Sequence, residues 1–278
     1  MADTAIQKYH RRVKKTGSLL CVGLDSDLQK LPKRLQKEQF PQFAFNKAII
    51  DATHEYVSVY KPNVAFYEAQ GEQGIHELKQ TMEYLQDTYP DIFTILDAKR
   101  ADIGSTNEQY VKNIFDWLGF DAVTIHPYLG KEAVLPFLER EDKVSIILCR
   151  TSNPGAGEFQ DLEVKGKPLW AHVAQQVSEK WNEKGNCMLV VGATYPQEMK
   201  EIRKIVGDEM VFLVPGIGAQ GGDVREVMTH GVNSQGKGLI LNAGRSIIFA
   251  SKGEDFAEAA GKAAEKLVKE IQEAVALA

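Results

Sequence analysis

The sequence predicts an α/β protein with the fold of a (β/α)8 TIM barrel, in which residues 1–278 form a single domain. Three observations support this prediction. The length of 278 residues is typical of such a barrel, eight short apolar runs recur along the chain, and amphipathic helical segments lie between them. The apolar runs are continuous rather than alternating, as in parallel strands that helices cover on both faces. A doubly wound open sheet is the alternative, because sequence patterns do not show whether a sheet closes.

The predicted strands are short and rich in apolar and β-branched residues. They comprise Ser18–Leu24, Val57–Asn63, Ile92–Lys99, Ala122–Pro127, Lys143–Arg150, Cys187–Ala193, Val211–Ile217 and Gly238–Gly244. Helical spacing of apolar residues predicts helices over Glu68–Tyr89, Pro168–Lys184 and Tyr195–Val206, and Pro168 suits the first position of its helix. An extra helix is expected before the first strand, at about residues 4–15, and an Ala-, Glu- and Lys-rich helix over residues 257–278 is expected to close the barrel.

The composition is that of a soluble globular protein, with 44% hydrophobic and 26% charged residues. The net charge of −5 argues against a general nucleic-acid-binding protein, although it leaves room for a local basic pocket. No apolar run approaches the roughly 18 residues of a membrane span, and the N-terminal residues lack the apolar core of a signal peptide. The isolated Cys21, Cys149 and Cys187 indicate small buried side chains in a reducing compartment. We therefore expect a cytoplasmic protein with no membrane and no nucleic-acid partner.

Charged residues gather at the ends of two neighbouring predicted strands. Asp97 and Lys99 end the third strand, and because they are two residues apart they should project together into the barrel mouth. Asp102 follows in the loop, and Lys61 lies near the end of the second strand. Active sites of (β/α)8 barrels lie at this face, and clusters of perturbed charges often mark them. A structural network of ion pairs at the rim is the alternative interpretation.

Glycine-rich segments follow the seventh and eighth predicted strands, at Pro215–Asp223 and Asn242–Ser246. Glycines let backbone N–H groups approach an anion closely, and barrels commonly bind phosphate where these two loops lie. Arg245 adds a guanidinium group that can hold phosphate with two hydrogen bonds. The two loops together predict a phosphate site, although each alone could be a plain turn. The glycines concerned are Gly218, Gly221 and Gly244.

Polar residues follow three other predicted strands. Asp25, after the first strand, can accept hydrogen bonds from a sugar hydroxyl or cap the following turn. Ser152, after the fifth strand, can hydrogen-bond a polar ring or form a turn. His126, after the fourth strand, has no partner at metal-ligand spacing and is assigned no role. The long irregular segment Thr151–Pro168 is predicted to close over the ligand as a lid.

These motifs together resemble those of the orotidine 5′-monophosphate decarboxylases. The resemblance rests on the run DAKRADIGST at 97–106, on Lys61, on the loop Pro215–Asp223 and on the turn at Arg245, and it extends over roughly residues 18–250. The DAKR run and the long segment after the fifth strand are similar to the longer-chain bacterial branch of this family. In that branch, a Gly is more usual than the Ala that follows DAKR here.

This resemblance implies the decarboxylation of orotidine 5′-monophosphate to UMP and CO2, the last step of de novo pyrimidine biosynthesis, without a cofactor or a metal. It also implies a homodimer whose active sites are shared between subunits. The family's tetrad of alternating charges corresponds here to Lys61, Asp97, Lys99 and Asp102, of which Asp102 reaches the site of the other subunit. The resemblance further implies Ile103 and Thr106 beside Asp102, Asp25 with Lys61 for the ribose, Ser152 for the pyrimidine, and Gln220 and Arg245 for the phosphate.

The implied reaction explains why these charges are clustered. Loss of CO2 leaves an electron pair on C6, in the plane of the pyrimidine ring, where the ring cannot delocalise it. Stabilisation must then be electrostatic and preorganised. The ammonium group of Lys99 can oppose the developing carbanion and then protonate it, while Asp97 beside the substrate carboxylate disfavours the ground state. The interleaved lysines keep the acids ionised.

Two other functions fit parts of the pattern. A magnesium-dependent decarboxylase of keto-sugar phosphates would keep Asp97, Lys99 and Asp102. It would also need a metal-binding acid near the end of the second strand, where Lys61 stands, and it would lose activity in EDTA. A non-catalytic nucleotide-binding barrel would keep Arg245 and Gln220 but has no need of Lys99 opposite Asp97, and it would bind UMP without turnover.

Overall fold

A computed structural model describes residues 3–218 and 221–277 of the chain. Within these ranges, eight parallel strands follow one another around a closed barrel, and we number them β1 to β8 in chain order. The first and last strands pair with each other, which confirms the barrel and excludes the open doubly wound sheet. The strands are β1 Leu20–Gly23, β2 Val59–Lys61, β3 Phe93–Arg100, β4 Ala122–Ile125, β5 Val144–Arg150, β6 Cys187–Val191, β7 Phe212–Pro215 and β8 Leu239–Ala243.

Helices connect the strands and cover the outside of the barrel. Among the described residues they are α1 Ala5–Thr16, α2 Pro41–Thr53, α3 Ala65–Glu68, α4 Gly71–Thr88, α5 Gly104–Val111, α6 Gly130–Leu138, α7 Gly157–Gln160, α8 Leu169–Gln176, α9 Pro196–Val206, α10 Val224–Gly231, α11 Arg245–Ile248 and α12 Phe256–Leu277. Helices α5 and α8 continue into π-helical turns at Lys112–Trp117 and Val177–Trp181. Short 3-10 turns occur at Leu28–Lys30, Leu35–Lys37 and Pro154–Ala156.

Local signals in the sequence set the bounds of several elements. Helix α1 begins after Thr4, which forms a capping box with Gln7, and it ends at Gly17, where φ is 64°. The single helix predicted over Glu68–Tyr89 is instead α4, preceded by the short α3. The two are separate because the chain turns at Gly71, where φ is 62°.

The segment between β5 and α8, predicted as an irregular lid, is partly regular. It holds α7 and a two-stranded hairpin, Glu163–Val164 with Lys167–Pro168. Pro168 belongs to the hairpin and is the N-cap residue of α8, so the prediction that it occupies the first helical position is wrong. The N–H of Leu169 donates to the carbonyl of Leu162 at 2.9 Å. This bond continues the hairpin and keeps Pro168 extended.

Burial decreases along β3 toward the barrel mouth. Residues 93–96 are buried, whereas Asp97 is half-buried and Lys99 is exposed. The apolar core runs without interruption from the barrel interior to the surrounding helices. The charges at the C-terminal end of β3 therefore lie where this core ends and a ligand can reach them.

Helix α1 covers the opposite end of the barrel. Arg12 is buried there, donates to the carbonyl of Val57 and pairs with Asp91 at 2.8 Å. Lys8 pairs with Asp121, also at 2.8 Å. Helix α1 therefore closes the N-terminal end of the barrel. The C-terminal ends of the strands form the face that is open to a ligand. In the described part of the chain, no helix has the length and apolar character needed to cross a bilayer.

Candidate active site

Three charged side chains meet at the ends of β2 and β3. Nζ of Lys61 lies 3.0 Å from Oδ2 of Asp97, and Nζ of Lys99 lies 2.5 Å from Oδ1 of the same carboxylate. The side chain of Lys61 is 4% exposed, that of Asp97 13% and that of Lys99 49%. Positive, negative and positive charges thus run from the barrel interior toward solvent. The structure brings together three of the four residues of the expected tetrad.

A bulge in β3 gives Lys99 its position. The pairing of β3 with β4 shifts register between Leu96 and Arg100, and Lys99 adopts φ 48°, which is uncommon for a residue other than glycine. The backbone N–H groups of Ala98 and Lys99 both donate to Oγ1 of Thr124, at 3.0 and 2.9 Å. This hydroxyl on β4 holds the bulge in place. Backbone strain of this kind is typical of functional sites.

Burial and charge have opposite effects on the ionisation of this cluster. Burial raises the pKa of the Asp97 carboxyl, but the positive charges of Lys61 and Lys99 outweigh it and hold that pKa below its ordinary value. Burial lowers the pKa of the Lys61 ammonium group, but the carboxylates of Asp97 and Asp25 outweigh it and raise that pKa above its ordinary value. Asp97 and Lys61 therefore both stay charged at neutral pH.

Two polar residues that were not predicted from the sequence also hold Asp97. Oγ1 of Thr124 donates to Oδ1 at 2.9 Å, and Nδ2 of Asn63 donates to Oδ2 at 3.3 Å. The N–H of Asn63 donates to Oδ1 of Asp25 at 3.1 Å, so the ends of β1, β2 and β3 are joined. The sequence held a signal for both residues. Asn63 follows Lys61 by two positions, and Thr124 interrupts an apolar strand.

Asp102 lies apart from this cluster within its own chain. Its Oδ1 accepts a hydrogen bond from the N–H of Ile103 at 2.7 Å, and its own N–H donates to Oδ1 of Asn107 at 2.8 Å. In the described part of the chain, both lysines of the cluster pair with Asp97 and neither pairs with Asp102. Ile103 is 60% exposed, and Thr106 is exposed as well. This loop therefore faces outward.

The ends of β1 and β8 approach each other closely beside Asp25. A Cβ atom on Gly23 would lie 3.2 Å from Cα of Gly244, and one on Gly244 would lie 3.9 Å from Oδ2 of Asp25. On β8, Oδ1 of Asn242 accepts a hydrogen bond from Sγ of Cys21 at 3.4 Å. Burial raises the pKa of that thiol, which therefore stays protonated and can donate. Asn242 is partly buried near the end of β8 and was not predicted as a site residue.

The two glycine-rich segments lie side by side. Gly218 and Gly221 have φ of 71° and 83°, and the N–H of Gly221 donates to the carbonyl of Gly218 at 3.0 Å in a tight turn. A Cβ atom on Gly218 would lie 3.8 Å from Oγ of Ser246, so this turn contacts the start of α11. Arg245, the first residue of α11, is exposed. The predicted phosphate-binding residue Gln220 lies outside the described residues.

Ser152 lies between the ends of β5 and β6. A Cβ atom on Gly192 would lie 2.7 Å from the backbone nitrogen of Ser152, so this close approach requires glycine. Oγ1 of Thr194 donates to the Ser152 carbonyl at 3.5 Å. Ser152 is partly buried. The loop that follows β6 thus holds its backbone.

His126, which was assigned no catalytic role, makes a structural contact. Its Nε2 lies 3.1 Å from the carbonyl oxygen of Ala101 and can donate to it. This contact connects the loop after β4 to the loop that carries Asp102. Across residues 3–218 and 221–277, no group of three or more His, Cys, Asp or Glu side chains is placed to hold a metal ion.

Known proteins are similar to this chain in both sequence and fold. Residues 18–260 match the model of the family described as Orotidine 5′-phosphate decarboxylase / HUMPS family. The chain is 49% identical over 265 residues to orotidine 5′-phosphate decarboxylase of Christiangramia forsetii, across 95% of this chain and 96% of that protein. It is 49% identical over 269 residues to the same enzyme of Flavobacterium johnsoniae, across 97% of each. The structure of Leishmania donovani OMP decarboxylase is similar, with a TM-score of 0.85, 33% identity, and coverage of 98% of this chain and 99% of that one. The chain therefore belongs to the orotidine 5′-phosphate decarboxylase / HUMPS family.

Proposed function

We propose that the protein decarboxylates orotidine 5′-phosphate to UMP and CO2, the last step of de novo pyrimidine biosynthesis. The observation that carries this proposal is the carboxylate of Asp97 held between Lys61 and Lys99 at the barrel mouth. The same face carries the glycine-rich turn and Arg245. The relatives that match nearly the whole chain bear the name of this carboxy-lyase.

Lys99 is the proton donor in this reaction. The bond between C6 of the pyrimidine and the carboxylate carbon breaks, CO2 leaves, and the electron pair remains on C6. Nζ of Lys99 opposes the negative charge and then transfers a proton to C6, which yields UMP. Two properties of the residue support this role. Its side chain is 49% exposed and so open to a substrate, and Asp97 fixes its ammonium group.

Asp97 has two effects on the reaction. Its carboxylate fixes the ammonium groups of Lys61 and Lys99, so the positive charge is in place before the bond breaks. It also stands beside the substrate carboxylate, and the loss of that carboxylate as neutral CO2 relieves the repulsion between the two groups. Thr124 and Asn63 orient Asp97 through their hydrogen bonds.

The other predicted residues bind the parts of the substrate that do not react. Phosphate binding far from C6 supplies energy that can be used in the transition state. Fixing the ribose and the base aligns C6 with the ammonium group that protonates it. The reaction requires no cofactor and no metal. The assignments are Asp25 with Lys61 for the ribose, Ser152 for the pyrimidine, and Gln220, Arg245 and the loop glycines Gly218, Gly221 and Gly244 for the phosphate.

The active enzyme is a homodimer in which Asp102 of each subunit completes the site of the other. Asp102 lies apart from the cluster in its own chain, on a loop that exposes Ile103 and Thr106. The neighbouring loop after β4 exposes Tyr128 and Leu129. Exposed aromatic and aliphatic side chains are typical of the centre of subunit interfaces. In the dimer, Asp102 adds the second negative charge of the tetrad.

The cysteines support a location in the cytoplasm. Cys21, Cys149 and Cys187 are free and buried. Free thiols are typical of proteins that work in a reducing compartment, whereas secreted proteins usually pair their cysteines.

The experiment that tests this function follows the absorbance of the pyrimidine as orotidine 5′-phosphate is converted, with and without EDTA. We expect rapid turnover that EDTA does not change. Turnover of a keto-sugar phosphate that depends on added magnesium would instead support the metal-dependent decarboxylase. Binding of UMP without any turnover would support the non-catalytic nucleotide-binding barrel.

A further inference from the structure

We propose that Arg150 is a positioning residue, which sets Ser152 for recognition of the pyrimidine. The inference rests on the proposed function, in which Ser152 contacts the base. Arg150 ends β5 and is 1% exposed, and it is the largest fully buried side chain of the described residues. A buried charge needs an opposite charge and hydrogen bonds to offset the loss of solvation. The partners of Arg150 belong to the two loops that surround Ser152.

One face of the guanidinium group stacks on Tyr195. Cζ of Arg150 lies 3.6 Å from the centre of the tyrosine ring, which is the geometry of a cation–π contact. Tyr195 is the N-cap residue of α9, and its N–H donates to the carbonyl of Gly192. Gly192 donates its own N–H to the carbonyl of Arg150 at 2.7 Å. Arg150 therefore joins the end of β5 to the loop after β6.

The edge of the guanidinium group holds the segment after β5. Nη2 of Arg150 donates to Oδ2 of Asp161 at 3.0 Å, and Nη1 donates to the carbonyl of Thr151 at 3.1 Å. Gln160 also holds Thr151 through its side-chain amide. Its Oε1 accepts from the N–H of Thr151 at 2.9 Å, and its Nε2 donates to Oγ1 of Thr151, also at 2.9 Å. Both backbone polar groups of Thr151 are thus fixed, one residue before Ser152.

Ser152 is consequently held from two directions. Arg150 and Gln160 hold the preceding residue, and Thr194 and Gly192 hold Ser152 from the loop after β6. A hydroxyl whose backbone is set before the ligand arrives loses less conformational freedom on binding. The backbone around Ser152 is therefore fixed before a ligand binds, whereas closure of the rest of the segment 151–168 over the ligand stays a prediction.

The test compares a ligand that carries the base with one that lacks it. UMP carries the pyrimidine and ribose 5-phosphate lacks it, and calorimetry measures the affinity of each. Asp161→Ala removes the carboxylate partner of Arg150 at a position that is 45% exposed, and Gln160→Ala removes the hydrogen bonds to Thr151. Binding of ribose 5-phosphate then reports whether each variant is still folded. We expect each variant to weaken UMP binding about tenfold, the size of one well-placed hydrogen bond, and to leave ribose 5-phosphate binding unchanged. The KM for orotidine 5′-phosphate should rise in parallel.

Glu163→Ala is the matched control. Glu163 is an exposed acid of the same segment, and within the described residues it forms no salt bridge. It should leave both affinities unchanged. Ser152→Ala should weaken UMP binding, and the addition of Asp161→Ala should then have little further effect, because both changes act on the same contact.

The outcomes separate this inference from the proposed function. An equal loss of affinity for both ligands, or an unchanged UMP affinity in Asp161→Ala and Gln160→Ala, would overturn the positioning role of Arg150. If Ser152→Ala turns over its substrate and binds UMP as the wild type does, Ser152 does not read the base and the positioning role is overturned with it. A wild-type protein without turnover would overturn the proposed function itself.

Discussion

Lys61 and Asp97 form a buried ion pair at the mouth of the barrel, with Nζ and Oδ2 3.0 Å apart. Lys99 contacts the same carboxylate from the solvent side. Buried ion pairs add little net stability, because the loss of solvation offsets the attraction between the charges. The arrangement is better explained by chemistry, since one carboxylate fixes two ammonium groups and one of them is open to a ligand.

Lys99→Ala should abolish turnover. The variant loses the proton donor and the charge that opposes the carbanion, so we expect kcat to fall by about 10⁴-fold or more. The absorbance assay measures this, and UMP affinity reports whether the site remains intact. Lys165→Ala is the matched control, because among the described residues Lys165 is the other non-glycine residue with positive φ. A kcat within about tenfold of wild type in Lys99→Ala would exclude Lys99 as the proton donor.

Asp97 should stabilise the protein at neutral pH and lose that effect in acid. Its pKa in the folded state is below the ordinary value, so below about pH 4 the unfolded state takes up this proton first. The stabilisation then declines as the pH falls, and it is fully lost only below the folded-state pKa. At neutral pH, Asp97→Asn leaves Lys61 buried without its carboxylate, and we expect the free energy of unfolding to fall by about 3 kcal/mol.

Urea unfolding of wild type and Asp97→Asn from neutral pH down to about pH 3.5 measures this difference. The difference between the two free energies of unfolding should begin to narrow as the pH falls through the ordinary pKa of aspartate, because the unfolded wild type then takes up the proton. A difference that stays constant over this range would show that Asp97 contributes no proton-linked stability.

Arg245→Ala should affect phosphorylated ligands only. Arg245 is exposed at the start of α11, beside the glycine-rich turn. We expect kcat/KM for orotidine 5′-phosphate to fall about 100-fold, whereas the slow turnover of orotidine, which lacks the phosphate, stays the same. Arg225→Ala is the control, since Arg225 is exposed on α10 and lines a groove with Lys262 and Lys266 of α12. An equal loss with orotidine would refute the assignment of Arg245 to the phosphate.

Two inactive variants should complement each other in a mixed dimer. After subunit exchange between Lys99→Ala and Asp102→Ala, half of the dimers are hybrids, and each hybrid has one site with both native residues. We therefore expect about a quarter of the wild-type activity to return. Lys99→Ala mixed with Asp97→Asn is the control and should stay inactive, because these residues lie in one cluster of the same chain. No recovery in the first mixture would place Asp102 outside the partner's site.

The site could be predicted only in part. Asp97 and Lys99 were placed on one face because the period of a strand brings residues i and i+2 to the same side. Thr124 and Asn63 were missed because they contact Asp97 across 27 and 34 residues of sequence. The pattern along one strand shows which face a residue occupies, but not which residue of the next strand it meets.

By itself, the sequence determined the alternation of eight strands with helices, the parallel arrangement of those strands and the position of the charged residues at the end of β3. These follow from local periodicity and from the continuous apolar runs that parallel strands require. The tertiary structure alone decided the bulge at Lys99, the separation of Asp102 from the cluster and the enclosure of Arg150 beneath Tyr195. Each of these features depends on contacts between segments that are distant in the chain. The periodicity of apolar residues along one segment does not show which other segment it will contact.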